Sequence, residues 1–337
     1  MPEPSLPDPG TPTPSRPRRA MAPARLDEAA RAAWLYYVAR KTQDEVAATL
    51  GMSRQAVQRL VARAVEEGLV RVRIDHPIAE HLELADALVE RFGLIRASVV
   101  PSEADPASSM RSLAAEGAAE IERWLARPDP VIIGIGTGRT LKATVEHLPA
   151  MACPQHRIVA LTGSVAPDGS AAFYNVIFSM ADRVQAPHFP LPVPVFASHA
   201  KERDLLHAQA AIRIPLDLAS QADVAFVGIA GIDDDAPVVE DGFLTPAKVR
   251  ELRERGAAGE ICGWMFDARG ELLGGPSNGR ITSPPLPRTD RTTVIGLAMG
   301  ERKRIAIRAA LRGRLLSALM TDAATARWLV SEGGGRA

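Results

Sequence analysis

The chain has 337 residues, which is too long for one average domain and suits two, one small and one α/β domain of ordinary size. Its 40 basic and 40 acidic side chains give a formal net charge of zero, so any binding to nucleic acid or membrane must come from a local cluster of charge. The two cysteines, Cys153 and Cys262, lie far apart, which argues against a disulfide framework or a zinc site and suits a reducing compartment. The sequence has no apolar run of the ~18 residues that a membrane span needs and no signal-peptide core, so we expect a cytoplasmic protein.

The first part of the chain divides into three segments. Residues 1–24 are so rich in proline that neither helix nor strand is expected, and we predict a disordered tail. Residues 25–75 have the pattern of short helices with tight breaks, and alternation begins only at Leu69, which indicates a compact helical unit. Residues 76–93 carry a helical apolar stripe that ends at Gly93, which predicts a linker helix. The stripe consists of Ile78, Leu82, Leu84, Ala85, Leu88 and Val89.

The stretch TQDEVAATLGMSRQAVQRLVARAVEEGLVRVRI, which starts at Thr42, predicts two helices around a tight turn. Thr42 and Glu45 form a capping box that opens the first helix. Gly51 stands where a left-handed residue closes that helix, and Ser53 caps the second. The alternative is an ordinary packed helix pair with a charged, solvated face. The two caps, the turn glycine and the small residue Ala47 together favour a helix-turn-helix.

The second of these helices is predicted to read DNA. Helical spacing turns its apolar residues inward, and these are Val57, Leu60, Val61, Ala64 and Val65. The outward residues near its start are arginines and glutamines, which pair with guanine and adenine in the major groove. The alternating run LVRVRI after Gly68 predicts a wing strand that contacts phosphate. We predict DNA contacts at Thr42, Gln43, Ser53, Arg54, Gln55, Gln58, Arg59, Arg71 and Arg73.

Beyond residue 93, apolar runs alternate with helical segments. The runs are continuous, as expected of parallel strands that are covered by helices on both faces. They are ASVVP, VIIGIG, RIVALTG, PVFAS, DVAFVGIAGI, ICGWMFDA, TTVIGLAMG and LLSALMTD. We therefore predict a Rossmann-like α/β domain over residues 94–337.

One of these runs, VIIGIG, continues into a glycine-rich turn and a helix that begins near Arg139. The glycines let the backbone approach a ligand, and the free N–H groups at a helix start attract an anion. Thr137 and Thr140 add hydroxyl donors. Glycine also serves such turns for geometry alone. The loop has neither the Lys-Ser/Thr ending of a P-loop nor the G-x-G-x-x-G spacing of a dinucleotide site, so the pattern favours a small phosphorylated or polyhydroxylated ligand.

Polar residues follow several other predicted strands. Because ligands of open α/β sheets bind at the carboxyl ends of the strands, these residues are expected to lie near the glycine loop. We expect the carboxylates to bind ligand hydroxyls and Lys303 to bind phosphate. The predicted ligand-binding residues are Gly134, Gly136, Thr137, Gly138, Arg139, Thr140, Gly231, Asp233, Glu260 and Lys303. No catalytic triad or metal-spaced histidine cluster stands out, and we give His188 and His199 no catalytic part. We predict no catalytic residue, no metal and no cofactor.

Six motifs follow one another in a fixed order: TQDEVAATLGMSRQAVQRL, GIGTGRTL, ADVAFVGIAGID, GAAGEICGWMFDARG, VIGLAMGERKRIAIRAALRG and LMTDAATARWLV. Through them the chain resembles, from Arg25 to its C-terminus, the SorC family of bacterial sugar-responsive transcription regulators. The resemblance implies a C-terminal effector-binding domain with the fold of ribose-5-phosphate isomerases and glucosamine-6-phosphate deaminases. It also implies operator DNA, a sugar, sugar phosphate or polyol effector, and a homo-oligomer, dimer or tetramer. In the family pattern, Gly136 to Thr140 hold ligand phosphate, while Lys303 and Glu260 match the late lysine and the acidic residue before ICG.

One segment departs from the family pattern. LTGSVAPDGSAAFYNVIFSMADR lacks the paired glycines that often follow the third strand, which leaves the effector and its phosphate open. The stretch FYNVIFSMADRVQAPHFPLPVPV is similar to that of members associated with sugar-alcohol catabolism.

Three functional hypotheses remain at the level of sequence. The first is a DNA-binding regulator, expected to be a repressor rather than an enzyme, that controls carbohydrate or polyol catabolic genes in response to an effector. The second is a sugar-phosphate isomerase or deaminase-like enzyme with a DNA-binding appendage, in which Asp233 or Glu260 acts as the base. The third is a constitutive DNA-binding scaffold with a vestigial pocket. The intact glycines, threonines and basic residues argue against the third.

Overall fold

The computed structural model describes residues 23–67, 69–70, 77–166, 169–171, 174–233, 239 and 244–331. The chain divides into two compact units, Met1–Asp75 and His76–Ala337. Residues 1–22 of the predicted tail lie outside the described residues, as do Arg71 and Arg73 of the predicted wing.

The first unit is helical. Its described elements are α1 (Pro23–Ala33), a π-helical segment (Trp34–Val38), α2 (Gln43–Leu50) and α3 (Arg54–Glu66). Helix α1 begins at Pro23, within the last two residues of the segment predicted as a tail. Proline is favourable at the first helical position, because the N–H that it lacks would have no helical partner there.

The three helices of the first unit share a small apolar core. Val46 and Ala47 of α2 pack with Val57 and Val61 of α3. One member of the predicted inward set is misplaced, since Val65 is 45% exposed. The buried stripe of α3 runs through Val57, Val61 and Ala64, and Val65 lies beside it.

The second unit is built on a seven-stranded parallel sheet with the strand order β1-β9-β8-β5-β2-β3-β4. Its strands are β1 (Arg96–Val100), β2 (Ile132–Ile135), β3 (Arg157–Val165), β4 (His188–Pro194), β5 (Val224–Gly228), β8 (Thr293–Leu297) and β9 (Ala318–Asp322). From β2 the chain moves outward through β3 to β4, and then returns to β5 on the other side of β2 before it continues to β8 and β9. The connections therefore diverge between β2 and β5, which is where open α/β sheets form their ligand crevice.

Helices cover both faces of this sheet. The described helices of the second unit are α4 (Pro77–Phe92), α5 (Pro106–Leu125), α6 (Arg139–Glu146), α7 (Val176–Val184), α8 (Ala200–His207), α9 (Ala210–Ser220), α10 (Pro246–Glu254), α11 (Pro276–Gly279), α12 (Arg304–Arg312) and α13 (Ala323–Ser331). Those that pack on the sheet are α4, α5, α6, α7, α9, α12 and α13. Alternate residues of a strand pack into the apolar clusters on opposite faces of the sheet. In β5, Val224 and Phe226 belong to the cluster under α5, α6 and α7. Ala225 and Val227 join the cluster under α4, α12 and α13. This two-sided burial explains the continuous apolar runs of the sequence.

Two of the predicted strands need correction. The run PVFAS does not hold the fourth strand, because β4 lies upstream at His188–Pro194. Strand β4 contains prolines. They are tolerated because β4 lies at the edge of the sheet, where one side of the backbone needs no hydrogen bond to a neighbouring strand. The run ICGWMFDA is not one strand but part of a separate antiparallel hairpin of β6 (Ala257–Ile261) and β7 (Trp264–Asp267).

The turn between β6 and β7 explains the second error. Its two residues, Cys262 and Gly263, have φ values of 52° and 87°. Positive φ at both central positions is the mark of the tight turn that matches strand twist in two-residue hairpins. Cysteine is not one of the residues typical of such a turn, so the continuous apolar sequence gave no sign of a hairpin.

Helix α4 packs within the second unit, against β1 and α13. Four residues of its predicted stripe lie in or against the core, namely Leu84, Ala85, Leu88 and Val89. Leu82 was placed in that stripe wrongly, because its side chain is 58% exposed. The helix ends at Phe92, and Gly93 follows with φ 66°. An ion pair of 2.5 Å between Glu80 Oε1 and Arg327 Nε joins α4 to α13.

Candidate functional site

The turn between α2 and α3 is held by reciprocal caps. Thr42 Oγ1 accepts a hydrogen bond from the N–H of Glu45 at 3.3 Å, and Glu45 Oε2 accepts one from the N–H of Thr42 at 2.8 Å. The Thr42 hydroxyl also donates to Glu45 Oε2 at 3.0 Å, and the hydrogen bonds that the Thr42 N–H and hydroxyl donate to this carboxylate hold the pKa of Glu45 below its usual value. Gly51 closes α2 with φ 68°, and the Ser53 hydroxyl accepts from the N–H of Ala56 at 3.3 Å. The predicted capping box, turn glycine and second cap are confirmed.

The start of α3 presents a polar, exposed face. Its exposed residues include all four that the sequence predicts as base-reading side chains, Arg54, Gln55, Gln58 and Arg59. Thr42 and Ser53 are also exposed, and Gln43 is half-buried. Arg54 Nη1 lies 3.6 Å from Asp44 Oδ2, and both side chains are about two-thirds exposed. Such a surface pair contributes little and leaves Arg54 available to a partner.

A cavity of about 240 Å³ lies in the second unit, at the carboxyl ends of β2, β3, β5 and β8. We call it the effector cavity. Its wall includes the glycine loop after β2, the β6–β7 turn and Lys303, which ends the 3-10 helix Glu301–Lys303 before α12. It includes the crevice between β2 and β5, where the chain connections diverge. The predicted residues that line it are Thr137, Gly138, Arg139, Thr140, Glu260 and Lys303.

The glycine loop is shaped for close approach to a ligand. Gly138 precedes α6 with φ 117°, a value that favours glycine, and nothing lies within 4 Å of where its Cβ would be. Helix α6 begins at Arg139, so its first N–H groups point toward the cavity side of the loop. Its positive dipole end adds to the attraction for an anion.

Two of the predicted glycines serve packing instead of lining the cavity. A Cβ on Gly134 would lie 3.1 Å from the side chain of Leu161, and one on Gly136 would lie 3.3 Å from Cys262 Sγ. Gly231 also lies outside the lining, where a Cβ would come within 3.0 Å of the Arg302 carbonyl oxygen. Asp233 is likewise not among the lining residues. The structure therefore does not bring Gly134, Gly136, Gly231 and Asp233 to the cavity surface.

Tyr174, which the sequence did not single out, connects to the glycine loop by two hydrogen bonds. Thr137 Oγ1 donates to the carbonyl oxygen of Tyr174 at 2.6 Å, and Arg139 Nε donates to the Tyr174 hydroxyl at 2.9 Å. The side chain of Tyr174 also lines the cavity. It therefore fixes the orientation of the Arg139 guanidinium at the cavity wall.

Glu260 lies in the β6–β7 hairpin and has two structural contacts. Its Oε2 accepts a hydrogen bond from the N–H of Gly263 at 2.7 Å, which braces the turn. Its backbone pairs with that of Ala230, through hydrogen bonds of 3.0 and 3.1 Å. The second contact ties the hairpin to the segment after β5 and brings the carboxylate to the effector cavity.

Lys303 completes a group of three charged side chains at the cavity. Burial lowers the pKa of Lys303, and the guanidinium of Arg139 lowers it further, whereas the Glu260 carboxylate opposes the shift. Lys303 and Arg139 thus lie close enough to repel each other. An anion between them would relieve that repulsion, because it attracts both cations.

Two further polar groups belong to the wall. Burial, together with the nearby Glu260 carboxylate, raises the pKa of the Cys262 thiol to about 12, and contact with the Thr162 hydroxyl partly offsets the shift. The thiol is therefore protonated near neutrality and is a poor nucleophile. Thr162 Oγ1 is buried and has no hydrogen-bond partner of regular geometry in the part of the chain that the structure describes. A ligand hydroxyl would satisfy it.

His188 and His199, which were predicted to have no catalytic role, do not line the effector cavity. His188 contacts the ring of Phe178, and His199 Nδ1 accepts a hydrogen bond from Glu202 N at the start of α8. Within the described ranges, no group of three or more His, Cys, Asp or Glu side chains is placed to hold a metal ion. None of the described helices is long and apolar enough to cross a membrane.

Known families match both units. The model of a family described as "Putative sugar-binding domain" matches residues 76–331, and a model of the MarR family matches residues 32–77. The chain is 34% identical over 316 residues to the erythritol catabolism regulatory protein EryD of Brucella abortus, with 94% of this chain and 100% of EryD covered. It is 30% identical over 314 residues to the transcriptional regulator LsrR of Klebsiella pneumoniae, with 91% and 94% covered.

A solved structure matches as well. The full-length sorbitol operon regulator SorC of Klebsiella pneumoniae superposes with a TM-score of 0.68 at 28% identity, and the match covers 91% of this chain and 100% of SorC.

A helix-turn-helix unit followed by a parallel α/β domain with a cavity at its carboxyl edge defines a transcriptional regulator that responds to a small molecule. The sugar-binding model matches well over half of the sequence, and the similarity to EryD extends over nearly all of it. The chain belongs to the SorC family of sugar-responsive transcriptional regulators, as the sequence motifs predict.

Proposed function

We propose that this regulator is a repressor of genes for the breakdown of a sugar or polyol, and that a sugar-type effector in the effector cavity changes its affinity for operator DNA. The observation that carries the proposal is the meeting of Arg139, Lys303 and the start of α6 with the Glu260 carboxylate around one cavity. Such a set matches a molecule with an anionic group at one end and hydroxyls at the other.

The effector is proposed to be small. At about 240 Å³ the cavity lies just below the ~300–1,000 Å³ that is usual for ligand pockets. The two basic side chains and the helix start would take a phosphate, while Glu260 and Thr162 would take hydroxyls. The names of two similar proteins refer to erythritol and to sorbitol, which supports a polyol or its phosphate over a larger ligand.

The effector contacts are proposed for Thr137, Gly138, Arg139, Thr140, Glu260 and Lys303, together with Tyr174 and Thr162. The DNA contacts are proposed for the exposed start of α3, with Thr42, Gln43 and Ser53 alongside it. For Arg71 and Arg73, a wing contact with phosphate remains a sequence-based proposal.

We also propose that the cavity binds its guest without transforming it. Similar proteins are named as regulators, Asp233 does not line the cavity, and the Cys262 thiol is protonated near neutrality. The proposal has three further parts. The second unit shares its fold with ribose-5-phosphate isomerases and glucosamine-6-phosphate deaminases, the chain forms a homo-oligomer, and α4 links the two units. Light scattering of the purified chain would measure the oligomer.

The experiment is an operator-binding titration. Fluorescence anisotropy with labelled DNA from upstream of the gene is measured while erythritol, sorbitol and their phosphates are added in turn. We expect one of them to change the DNA affinity by roughly 5- to 150-fold, the usual range of allosteric coupling. Lys303→Gln should retain DNA binding and lose the response to a phosphorylated effector.

Two outcomes would contradict the proposal. If every candidate leaves DNA affinity unchanged, the cavity is not the regulatory site for these molecules. If the purified chain turns over a sugar phosphate and Glu260→Gln abolishes that turnover, the cavity is a catalytic site.

A further inference from the structure

Thr162 carries a buried hydroxyl without a regular hydrogen bond. The residue lies in β3, it lines the effector cavity, and only 7% of it is exposed. Among the residues that the structure describes, none forms a regular hydrogen bond with Thr162 Oγ1. A buried hydroxyl without a partner lowers the stability of a fold, because it has lost its hydrogen bonds to water. Valine has nearly the same shape and would avoid this loss.

The thiol beside this hydroxyl is a poor partner for it. Burial and the Glu260 carboxylate raise the pKa of the Cys262 thiol, whereas contact with the Thr162 hydroxyl lowers it, so the thiol and the hydroxyl are neighbours. A thiol is only a weak donor and a weak acceptor of hydrogen bonds. Cys262 therefore does not replace the hydrogen bonds that the Thr162 hydroxyl would make with water.

The backbone of β3 is irregular at Thr162. Between the pairs Val159–Phe189 and Gly163–Leu191, β3 advances by four residues while β4 advances by two. Irregularities of this kind redirect side chains, and they are common beside binding and active sites. The irregular segment includes Thr162, whose side chain lines the cavity.

The cavity wall next to the Thr162 hydroxyl has several apolar members. Cys262 and Gly263 form the β6–β7 turn, and a Cβ on Gly263 would lie 3.5 Å from Val195 Cγ1 and 3.9 Å from Phe196 Cζ. All four residues line the effector cavity. The carbon–hydrogen groups of a ligand can pack against them, whereas a ligand hydroxyl needs a polar partner, and Thr162 supplies one.

A buried hydroxyl without a partner is not by itself a binding site. Thr321 Oγ1 in β9 is also buried and has no hydrogen-bond partner within the described part of the chain. Thr321 does not line the effector cavity, whereas Thr162 does. Only the Thr162 hydroxyl is thus placed to gain a partner when the effector cavity is filled, and Thr321 is a matched control.

We propose that Thr162 determines effector specificity, because its hydroxyl forms a hydrogen bond with one hydroxyl of the effector. This inference rests on the proposed function, since it takes the occupant of the cavity to be a polyol, a sugar or one of their phosphates. The effector must then carry a hydroxyl on the carbon that reaches Thr162, and the corresponding deoxy compound binds weakly. The unliganded fold is less stable as a result, and the bound effector supplies the missing hydrogen bond.

The test compares Thr162→Val with the wild-type chain by isothermal titration calorimetry. Erythritol, sorbitol and their phosphates are the ligands. We expect the compound that binds the wild-type chain to bind Thr162→Val roughly 5- to 50-fold more weakly, because its hydroxyl is then buried without a partner. Thr162→Ser keeps the hydroxyl and should retain most of the affinity.

Deoxy analogues identify the hydroxyl that Thr162 contacts. Each mono-deoxy derivative of the compound that binds lacks one hydroxyl. One of these derivatives should bind the wild-type chain and Thr162→Val with equal affinity, because the same hydrogen bond is missing from both complexes. The other derivatives should still distinguish the two proteins.

Thermal melting supplies a measurement that a purely structural threonine would not change in this way. Without ligand, Thr162→Val should melt roughly 2 to 4 °C above the wild-type chain, since the unpaired hydroxyl is gone. Thr321→Val should gain stability for the same reason and keep its full affinity for the effector. Stability and affinity should therefore change in opposite directions at Thr162 alone.

Three results would overturn the inference. If none of the four compounds binds the wild-type chain, the proposed effector class is wrong, and this inference is wrong with it. If one compound binds and Thr162→Val binds it as tightly, the proposed function stands and the specificity assigned to Thr162 is wrong. If Thr162→Val melts below the wild-type chain, the hydroxyl stabilises the fold and is not held in reserve for a ligand.

Discussion

Lys303 combines a charge that suits an anion with a site that disfavours that charge. Its lowered pKa follows from burial and from the guanidinium of Arg139, so ligand binding and proton binding at this lysine are linked. A bound phosphate would raise the pKa again, since it stabilises the ammonium form.

The affinity for an anionic effector should therefore depend on pH. Lysine is charged below its pKa, and here the pKa lies below the ordinary 10.5, so affinity is retained at low pH and falls as pH rises through the lowered value. Calorimetry across the alkaline range measures this. Lys303→Arg should bind with a nearly constant affinity over the same range, because arginine stays charged there. An equal pH dependence in both proteins would show that another group is responsible.

Tyr174 is expected to act on the phosphate end of the effector alone. Its hydroxyl accepts from Arg139 Nε at 2.9 Å, so Tyr174→Phe removes one of the contacts that orient the guanidinium. The loss of one such hydrogen bond should weaken a phosphorylated effector about 3- to 30-fold and leave the unphosphorylated polyol nearly unchanged. Titrating both ligands against both proteins separates these effects. If the two ligands lose affinity equally, Tyr174 shapes the cavity as a whole.

At the scale of elements, α3 is proposed to contact the DNA bases. Arg54→Ala and Gln55→Ala should each cost about 1 to 3 kcal/mol on the operator and little on unrelated DNA, because bidentate contacts distinguish bases. Anisotropy with the operator and with shuffled DNA measures the difference. The control is Arg31→Ala, at an exposed position of α1. Equal losses on both DNAs would assign the two residues to phosphate contacts.

The elements also show which patterns a sequence reveals. The capping box and Gly51 were predictable, because both act within a few residues of where they stand. The β6–β7 hairpin was hidden, because Cys262 adopts a positive φ that cysteine rarely takes. The strand β4 was misplaced because its prolines argue against a strand, although they are tolerated at the edge of the sheet.

The cavity was predictable where its residues follow strands and hidden where they do not. The glycine loop, Glu260 and Lys303 stand beside strand ends or a helix start, which topology brings together. Tyr174 reaches Arg139 across 35 residues, and no local signal marks that contact. The helix cap at Gly138 has a local signature, whereas the exclusion of Asp233 depends on the three-dimensional path of the segment after β5.

At the scale of the whole molecule, effector and operator must influence each other equally. If the effector weakens operator binding by some factor, bound operator must weaken effector binding by the same factor. We expect calorimetry of the effector, with and without saturating operator, to give the factor found by anisotropy, within the range of roughly 5 to 150. Unequal factors would mean that the two experiments report different sites or different oligomers.

The two thiols of the chain are expected to react slowly with oxidants and alkylating reagents. Both Cys153 and Cys262 are buried, and burial raises the pKa of each. Peroxide and alkylating reagents attack the thiolate, so both sulfurs resist them while the fold is intact. Oxidation of these two thiols is therefore an unsuitable switch for the folded chain.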